Sequence, residues 1–326
     1  MNARLENPTP PLVVRTEHLD PAAEAWISER CEFLVASPDD PTFESRAAEI
    51  NGLVVRTYTE VNDALLDRLP MLKVVARAGV GVDNIDIAAC RRRGIEVVHT
   101  PDANTQAVVE YVTSLLCDAL RPRIFLTEAV DQDAWKEIRS EICGDSQMNE
   151  MTLGILGFGR IGRRVAEVAG AIGFTVRYHD LLDIDAAHRA GAEPVSLNRL
   201  FEESDVLTVH VDGRSSNHGL VDGTLLSLMK TDAILLNTSR GFIMNESALA
   251  DWLAEHPAAQ AVLDVHEKEP FTDDDPLIEL PNAHLAPHLA SRTRTAMANR
   301  CRHRASLSGG GRGDGATSWW RRGDVA

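Results

Sequence analysis

Three segments of this 326-residue chain carry side chains that could together manage a proton and an anion. Asn237-Thr238-Ser239-Arg240-Gly241 supplies a guanidinium, whose planar fork can hold a carboxylate bidentately and polarise the carbonyl beside it. Asp264-Val265-His266-Glu267-Lys268-Glu269-Pro270 supplies the carboxylate of Glu269. Pro287-His288-Leu289-Ala290 supplies an imidazole able to exchange a hydroxyl proton near neutral pH. A glutamate bonded to the other ring nitrogen would fix the tautomer and favour the imidazolium. An arginine, a glutamate and a histidine in these roles are what interconversion of a 2-hydroxy acid and a 2-oxo acid requires.

A fourth segment points to the other reactant. Gly157-Phe158-Gly159-Arg160-Ile161-Gly162 is a G-x-G-x-x-G that follows a strand-like run and opens a helix-like one, and the next strand-like run ends at Asp180. In that context Gly157 makes the tight turn, Gly159 lets backbone approach a pyrophosphate, and Gly162 lets helix and strand pack closely. The helix N-terminus offers N–H donors and positive dipole to the phosphates. Asp180 would accept hydrogen bonds from a ribose diol and repel a 2′-phosphate, which favours NAD over NADP. Arg177 faces the other way if the strand alternates, although His179 or His188 could moderate the preference.

These residues need a scaffold, and the hydrophobic pattern supplies one. From residue 12 to 98, short β-branched runs at 12–14, 33–36, 53–56, 73–76 and 96–98 alternate with stretches of helical length, a βαβ rhythm. Each run is almost continuously apolar, as in a parallel sheet covered on both faces. Pro21 opens the first helix. Residues 104–120 read as one long helix connecting two domains, and 123–150 as a polar arm or loop anchored by Trp135. The rhythm restarts with strands expected at 152–156, 175–178, 206–210, 233–237, 261–264 and 283–286, the count of a full dinucleotide-binding domain. The fold class is therefore α/β, with two doubly wound parallel-sheet domains.

Composition narrows the partners. A net charge of -16 repels phosphate backbones and anionic membrane surfaces, so neither nucleic acid nor membrane is expected. Residues 301–326 hold five Arg and two Asp, +3, which leaves the first 300 at -16 - 3 = -19. This tail is rich in Gly and Arg, has no periodic pattern and is expected to be disordered. A shifted reading frame would produce it, as would divergence. Five scattered cysteines without a C-x-x-C pair suggest a reducing, cytoplasmic setting and no metal site.

The chain resembles the NAD-dependent D-2-hydroxyacid dehydrogenases over roughly residues 50–299. The likeness rests on Ala78-Gly79-Val80-Gly81-Val82-Asp83-Asn84-Ile85-Asp86, on Thr100-Pro101 with Asn104, on the glycine fingerprint with Asp180, and on the Arg240, Glu269 and His288 segments in that order. The resemblance implies a Rossmann cofactor domain (104–290) inserted in a flavodoxin-like substrate domain (1–103 with 291–300), closing at the connecting helix and at residues 287–292. It further implies that Arg240 binds the substrate carboxylate and C2 oxygen, that Glu269 and His288 form the acid/base pair, and that backbone N–H groups of Gly79, Val80 and Gly81 hold the carboxylate. Arg160 and Ile161 match pyrophosphate contacts, Thr238 and Asp264 nicotinamide contacts. A homodimer through 104–150 is implied as well.

Two departures stand out: His266 occupies a usual phenylalanine position, and Asp212-Gly213-Arg214 replaces a usual Pro-Leu-Thr. His210, ending a strand that faces the cofactor, is read as structural. Arg56 and Arg77 fall at strand ends and could clamp a phosphate or second carboxylate, so D-3-phosphoglycerate is the first substrate expected. The chain ends without the serine-binding module of long phosphoglycerate dehydrogenases, which argues against that feedback control. A second reading of the same fold is a non-catalytic NAD(H)-binding regulatory scaffold, against which the intact Arg240, Glu269 and His288 count.

Overall fold

A computed structural model describes residues 10–121, 123–141, 146–299 and 321–322. The chain divides into two compact units, Met1–Asn104 with Thr293–Ala326, and Thr105–Arg292.

The first unit holds β1 (Leu12–Arg15), β2 (Glu32–Val35), β3 (Ile50–Val55), β4 (Val74–Arg77) and β5 (Glu96–His99). They pair in parallel in the order β5-β4-β3-β1-β2, the flavodoxin-like winding, with the order reversing between β1 and β3. Alternation places residues on two faces. Leu12, Val14, Leu53, Val55 and Val75 join one apolar cluster, whereas Val54, Ala76 and Val98 join the other, so both faces are covered. Asp20 caps the helix Pro21–Ser28 by accepting the Ala22 N–H, with Pro21 at its first turn as its missing donor allows. The expected disordered tail lies outside the described residues apart from Arg321–Arg322, whose backbone pairs antiparallel with β5.

The second unit holds β6 (Thr152–Leu156), β7 (Thr175–His179), β8 (Glu193–Pro194), β9 (Val206–Val209), β10 (Ile234–Asn237), β11 (Gln260–Leu263) and β12 (Ala283–Leu285). All pair in parallel in the order β12-β11-β10-β9-β6-β7-β8, a Rossmann winding that reverses between β6 and β9. Leu153, Ile155, Val206, Leu236 and Val262 pack under the helices Thr105–Leu120 and Arg160–Ile172. Leu156, Leu207, Val209, Leu235 and Leu263 pack on the opposite face, with Leu200, Leu226 and Trp252. The helix Thr105–Leu120, read from sequence as a connector, is thus itself a packed layer: Val108, Val112 and Leu116 are buried. Among the described residues of this unit seven strands stand where six were expected, since the two-residue edge strand β8 has no hydrophobic run to reveal it. Residues 132–141 form a helix where an arm or loop was expected.

Candidate active site

The winding gathers the functional segments at the C-terminal ends of β6, β7, β10, β11 and the loop after β12. Gly157 follows β6 with φ +93°, and a Cβ there would lie 2.6 Å from the Val211 nitrogen, in the chain leaving β9. No side chain fits, so the turn at the reversal point depends on glycine. A Cβ on Gly162 would meet the Gly157 carbonyl oxygen at 2.2 Å, which is the helix-to-strand closeness the motif implied. A Cβ on Gly159, by contrast, would meet nothing within 4 Å. Gly159 is also the N-cap of the 13-residue helix Arg160–Ile172, and no side chain caps that end. An open space over an uncapped helix N-terminus fits a pyrophosphate.

Asp180 lies beside this loop: Oδ2 accepts the Phe158 N–H at 2.6 Å and Oδ1 the Leu182 N–H at 2.9 Å. Arg177 is turned to Glu203 and Glu193, so it is committed to ion pairs. His179 Nδ1 is engaged with the Val195 carbonyl at 3.0 Å. Thr238 contributes a buried hydroxyl oxygen without a partner among the described residues. An orphaned polar atom, an open glycine and a carboxylate at the loop together fit a dinucleotide.

The next turn positions Arg240. Asn237 ends β10 and ties the turn from both sides, its Oδ1 accepting from the Ser239 N–H and hydroxyl and its Nδ2 donating to the Arg240 carbonyl at 2.9 Å. Arg240 Nη1 donates to the Ser239 carbonyl at 2.7 Å. A Cβ on Gly241 would fall 1.8 Å from the carbonyl carbon of His266, so the Arg240 turn presses backbone to backbone on the Glu269 loop. In the departing segment after β9, Arg214 grips both oxygens of Asp212 at 2.7 and 2.6 Å. That hydrogen bonding, with the charge of Arg240 adding, holds the Asp212 carboxyl below its usual range.

Glu269 and His288 meet as expected from their types: Nδ1 lies 2.8 Å from Glu269 Oε2. Glu269 Oε1 accepts the His266 backbone N–H at 3.2 Å. Burial alone would push the Glu269 carboxyl up. The hydrogen bond and charge of His288, together with the His266 N–H, outweigh it and hold the group below the usual glutamate range. With Nδ1 committed, Nε2 is the nitrogen left for proton exchange. His288 itself has φ +54°, the left-handed region that a side chain rarely adopts.

Asp264 explains how that conformation is held. Fully buried after β11, its carboxylate accepts the N–H groups of Leu289 at 2.7 Å and Ala290 at 2.8 Å, anchoring the two residues that follow His288. Burial pushes its carboxyl up, and the Tyr111 hydroxyl, itself pushed up to about 12 by burial and by Asp264, bonds to it. Tyr111 was not read as a site residue from sequence. Its segment reads in sequence only as a connecting helix, and beside Glu110, Thr113 and Ser114 its hydroxyl carries no distinguishing mark. His210 bonds Thr208 Oγ1 at 2.9 Å, and desolvation pushes its ring down to about 3, so it is neutral and structural.

In the first unit, the Arg77 guanidinium folds over Gly79, where a Cβ would meet Nη1. The carbonyls of Gly79 and Val80 are held by the Thr100 N–H at 3.0 Å and His99 Nδ1 at 2.8 Å, which fixes the loop of Gly79, Val80 and Gly81. Arg56 Nη1 donates to the His18 carbonyl at 2.9 Å. Glu17, unforeseen from sequence, stands at the reversal between β1 and β3, where its carboxylate accepts the N–H groups of Arg56, Thr57, Tyr58 and Thr59 at 2.8–3.1 Å. Burial works against the charge, but these four donors hold the carboxyl below its usual range.

Residues 113–290 match the family model described as D-isomer specific 2-hydroxyacid dehydrogenase, NAD binding domain. A glyoxylate reductase from Aeropyrum pernix is 37% identical over 79% of this chain and 78% of its own. The chain belongs to the D-2-hydroxyacid dehydrogenase family. Its chemistry is NAD(H)-dependent interconversion of 2-hydroxy and 2-oxo acids, and its cofactor is NAD. A D-3-phosphoglycerate dehydrogenase from Mycobacterium bovis is 34% identical over 88% of this dehydrogenase, which spans 54% of that relative's length. The D-lactate dehydrogenase of Aquifex aeolicus, solved with NAD and lactic acid, superposes with a TM-score of 0.76 at 26% identity, over 89% of this chain and 92% of its own. Among the described residues no helix is long and apolar enough to cross a membrane.

Proposed function

We propose that His288 exchanges the substrate hydroxyl proton through Nε2, that Glu269 orients its ring and supports the imidazolium, and that Arg240 binds the substrate carboxylate and C2 oxygen. The observation that carries this reading is the 2.8 Å contact between His288 Nδ1 and Glu269 Oε2. In the oxidising direction the neutral imidazole takes the proton of the C2 hydroxyl; in the reducing direction the imidazolium returns it to the C2 oxygen. When bound, the nicotinamide cofactor would supply the acceptor or donor of the C2 hydride. Gly159, Arg160 and Ile161 are proposed to hold the pyrophosphate, with Gly157 and Gly162 giving the turn and the close helix packing that bring them to it, Asp180 to hold the adenine ribose, and Thr238 and Asp264 the nicotinamide end.

For the substrate we propose a small unphosphorylated 2-oxo or 2-hydroxy acid, such as the glyoxylate named for the Aeropyrum relative. Gly79, Val80 and Gly81 would give backbone donors to its carboxylate, with Arg77 beside them. An ionised Glu17 fills the backbone donors around Arg56 and opposes a second anion there. D-3-phosphoglycerate is the second reading, favoured by Arg56 and Arg77 as phosphate partners. A panel of 2-oxo and 2-hydroxy acids followed at the nicotinamide absorbance separates them. Under the first reading, Arg56→Ala leaves KM for the best substrate within about twofold. A tenfold rise confined to phosphoglycerate would establish the second.

His288→Ala is expected to lower kcat by about two orders of magnitude or more while NADH binding, read by fluorescence, is kept. Full turnover in that variant would remove the assignment. Turnover that is absent from the wild type across the panel, with NADH still bound, would favour the regulatory scaffold. We further propose a cytoplasmic homodimer, supported by free thiols at Cys31, Cys90 and Cys117 and by the exposed apolar side chains Ile124, Phe125, Leu126 and Trp135.

A further inference from the structure

We propose that Glu246, His266 and Asp275 form a binding site for a divalent transition-metal ion, adjacent to the acid/base pair and distinct from it. One ligand atom from each of the three lies within 4.8 Å of the other two. The set comes from three elements of the second unit: Glu246 begins the helix Glu246–Glu255, His266 follows β11, and Asp275 lies in the turn beyond Glu269.

The imidazole is what distinguishes this group from an acidic surface cluster. His266 is 5% exposed, and its Nε2 lies 2.9 Å from the Ala286 carbonyl. A carbonyl can only accept, so in the neutral ring Nε2 carries the proton and Nδ1 presents a bare lone pair. Nδ1 is buried and has no hydrogen-bond partner among the described residues. A buried acceptor without a donor is costly, and a cation is the partner that would satisfy it. Metal-bound histidines characteristically donate their other N–H to a carbonyl or carboxylate, the arrangement that the Ala286 carbonyl provides.

The carboxylates are prepared in the same way. Glu246 Oε1 accepts the Glu267 N–H at 2.8 Å and Asp275 Oδ1 the Leu277 N–H at 3.0 Å, which orients both groups and leaves each a second oxygen. Burial, with Asp275 and Glu267 adding repulsion, disfavours the charge on Glu246. A divalent ion between them would reverse that balance. Ligands about 2.1 Å from a tetrahedral ion stand about 3.4 Å apart, so side-chain shifts of about an ångström would close the set. One imidazole with two carboxylates suits Zn²⁺, Co²⁺ or Ni²⁺, whereas Mg²⁺ and Ca²⁺ favour all-oxygen cages. The bound ion would tie the loop carrying Glu269 to the start of the helix Glu246–Glu255.

The test is titration of the chelator-stripped full chain with Co²⁺, read by its visible absorption and by calorimetry, and with Zn²⁺, read by thermal unfolding. One saturable ion per chain is expected, with a raised Tm. His266→Phe, which restores the ring a family member usually carries, and Asp275→Asn, an exchange at a partly exposed turn, should each weaken binding tenfold or more and abolish the Tm rise. The asparagine variant keeps the test valid if the phenylalanine variant fails to fold. Absence of stoichiometric binding, or binding equally strong in the folded variants and so located elsewhere, overturns the proposal.

Discussion

At the scale of single residues, the proposed site holds one imidazole in an unusual backbone conformation. A non-glycine residue in the left-handed region costs about 1–3 kcal/mol and persists only where its surroundings over-determine it. His288 meets that condition through Glu269 on its ring and Asp264 on the two peptides that follow it. Glu269 must be ionised to support an imidazolium. Because its folded-state carboxyl is held below the usual value near 4.3, its contribution is fully present above that value and is lost only as pH falls through the lowered one. Glu269→Gln keeps the shape and removes the charge, so reduction, which needs the protonated ring, should fall about tenfold near pH 7. The alkaline limb of its rate profile should move to lower pH. An unchanged profile would mean that Glu269 is merely structural. The types and order of Arg240, Glu269 and His288 made this pair legible in the sequence. The anchoring by Asp264 and Tyr111 was not legible, because it consists of long-range bonds to backbone and hydroxyl that leave no periodic mark.

At the scale of elements, what could be read followed how far each element is buried. β9 and β10 are buried along their whole length, so their apolar runs named them, and errors were confined to an end residue. The helix Gln132–Glu141 has no buried side chain among its described residues, and its one short apolar side, Ala134, Trp135 and Ile138, is too brief to set it apart from a loop. Its start was nevertheless marked, since Asp131 Oδ1 accepts the N–H groups of Asp133 and Ala134 as an N-cap would. Turns are read least well, because their demands are steric rather than periodic. Nothing in the sequence distinguishes Gly241 from an ordinary neighbour of Arg240, yet it is where the Arg240 turn and the Glu269 loop touch, with no room for a methyl against the His266 peptide. Gly241→Ala must therefore push the Arg240 turn away from the Glu269 loop. A loss of roughly 1–3 kcal/mol in denaturant unfolding is expected, within the range of overpacking. The loss of kcat/KM should exceed tenfold, because small misplacements of positioning groups are magnified in rate. Wild-type kinetics in this variant would show that the contact does not set the site.

At the scale of the whole molecule, the question is how a chain of net charge -16 would associate with a copy of itself. Like charge opposes the encounter, so a stable homodimer needs an apolar surface large enough to prevail over it. The segment after the helix Thr105–Leu120 offers one: Phe125 is 82% exposed, Ile124 57%, Trp135 49% and Leu126 44%. Four large apolar side chains within twelve positions of sequence are more than the scattered exposure ordinary for a monomer. They lie on a segment with little packing of its own, and a second copy covering them would bury roughly 2 kcal/mol of transfer free energy per large side chain. Sedimentation at micromolar concentration should give a dimer that tightens with added salt, as screening weakens the repulsion while the apolar contact persists. Phe125→Asp with Trp135→Asp should yield a folded monomer of unchanged secondary structure. A wild-type chain that sediments as a monomer across that range of salt would leave the exposed patch without this explanation.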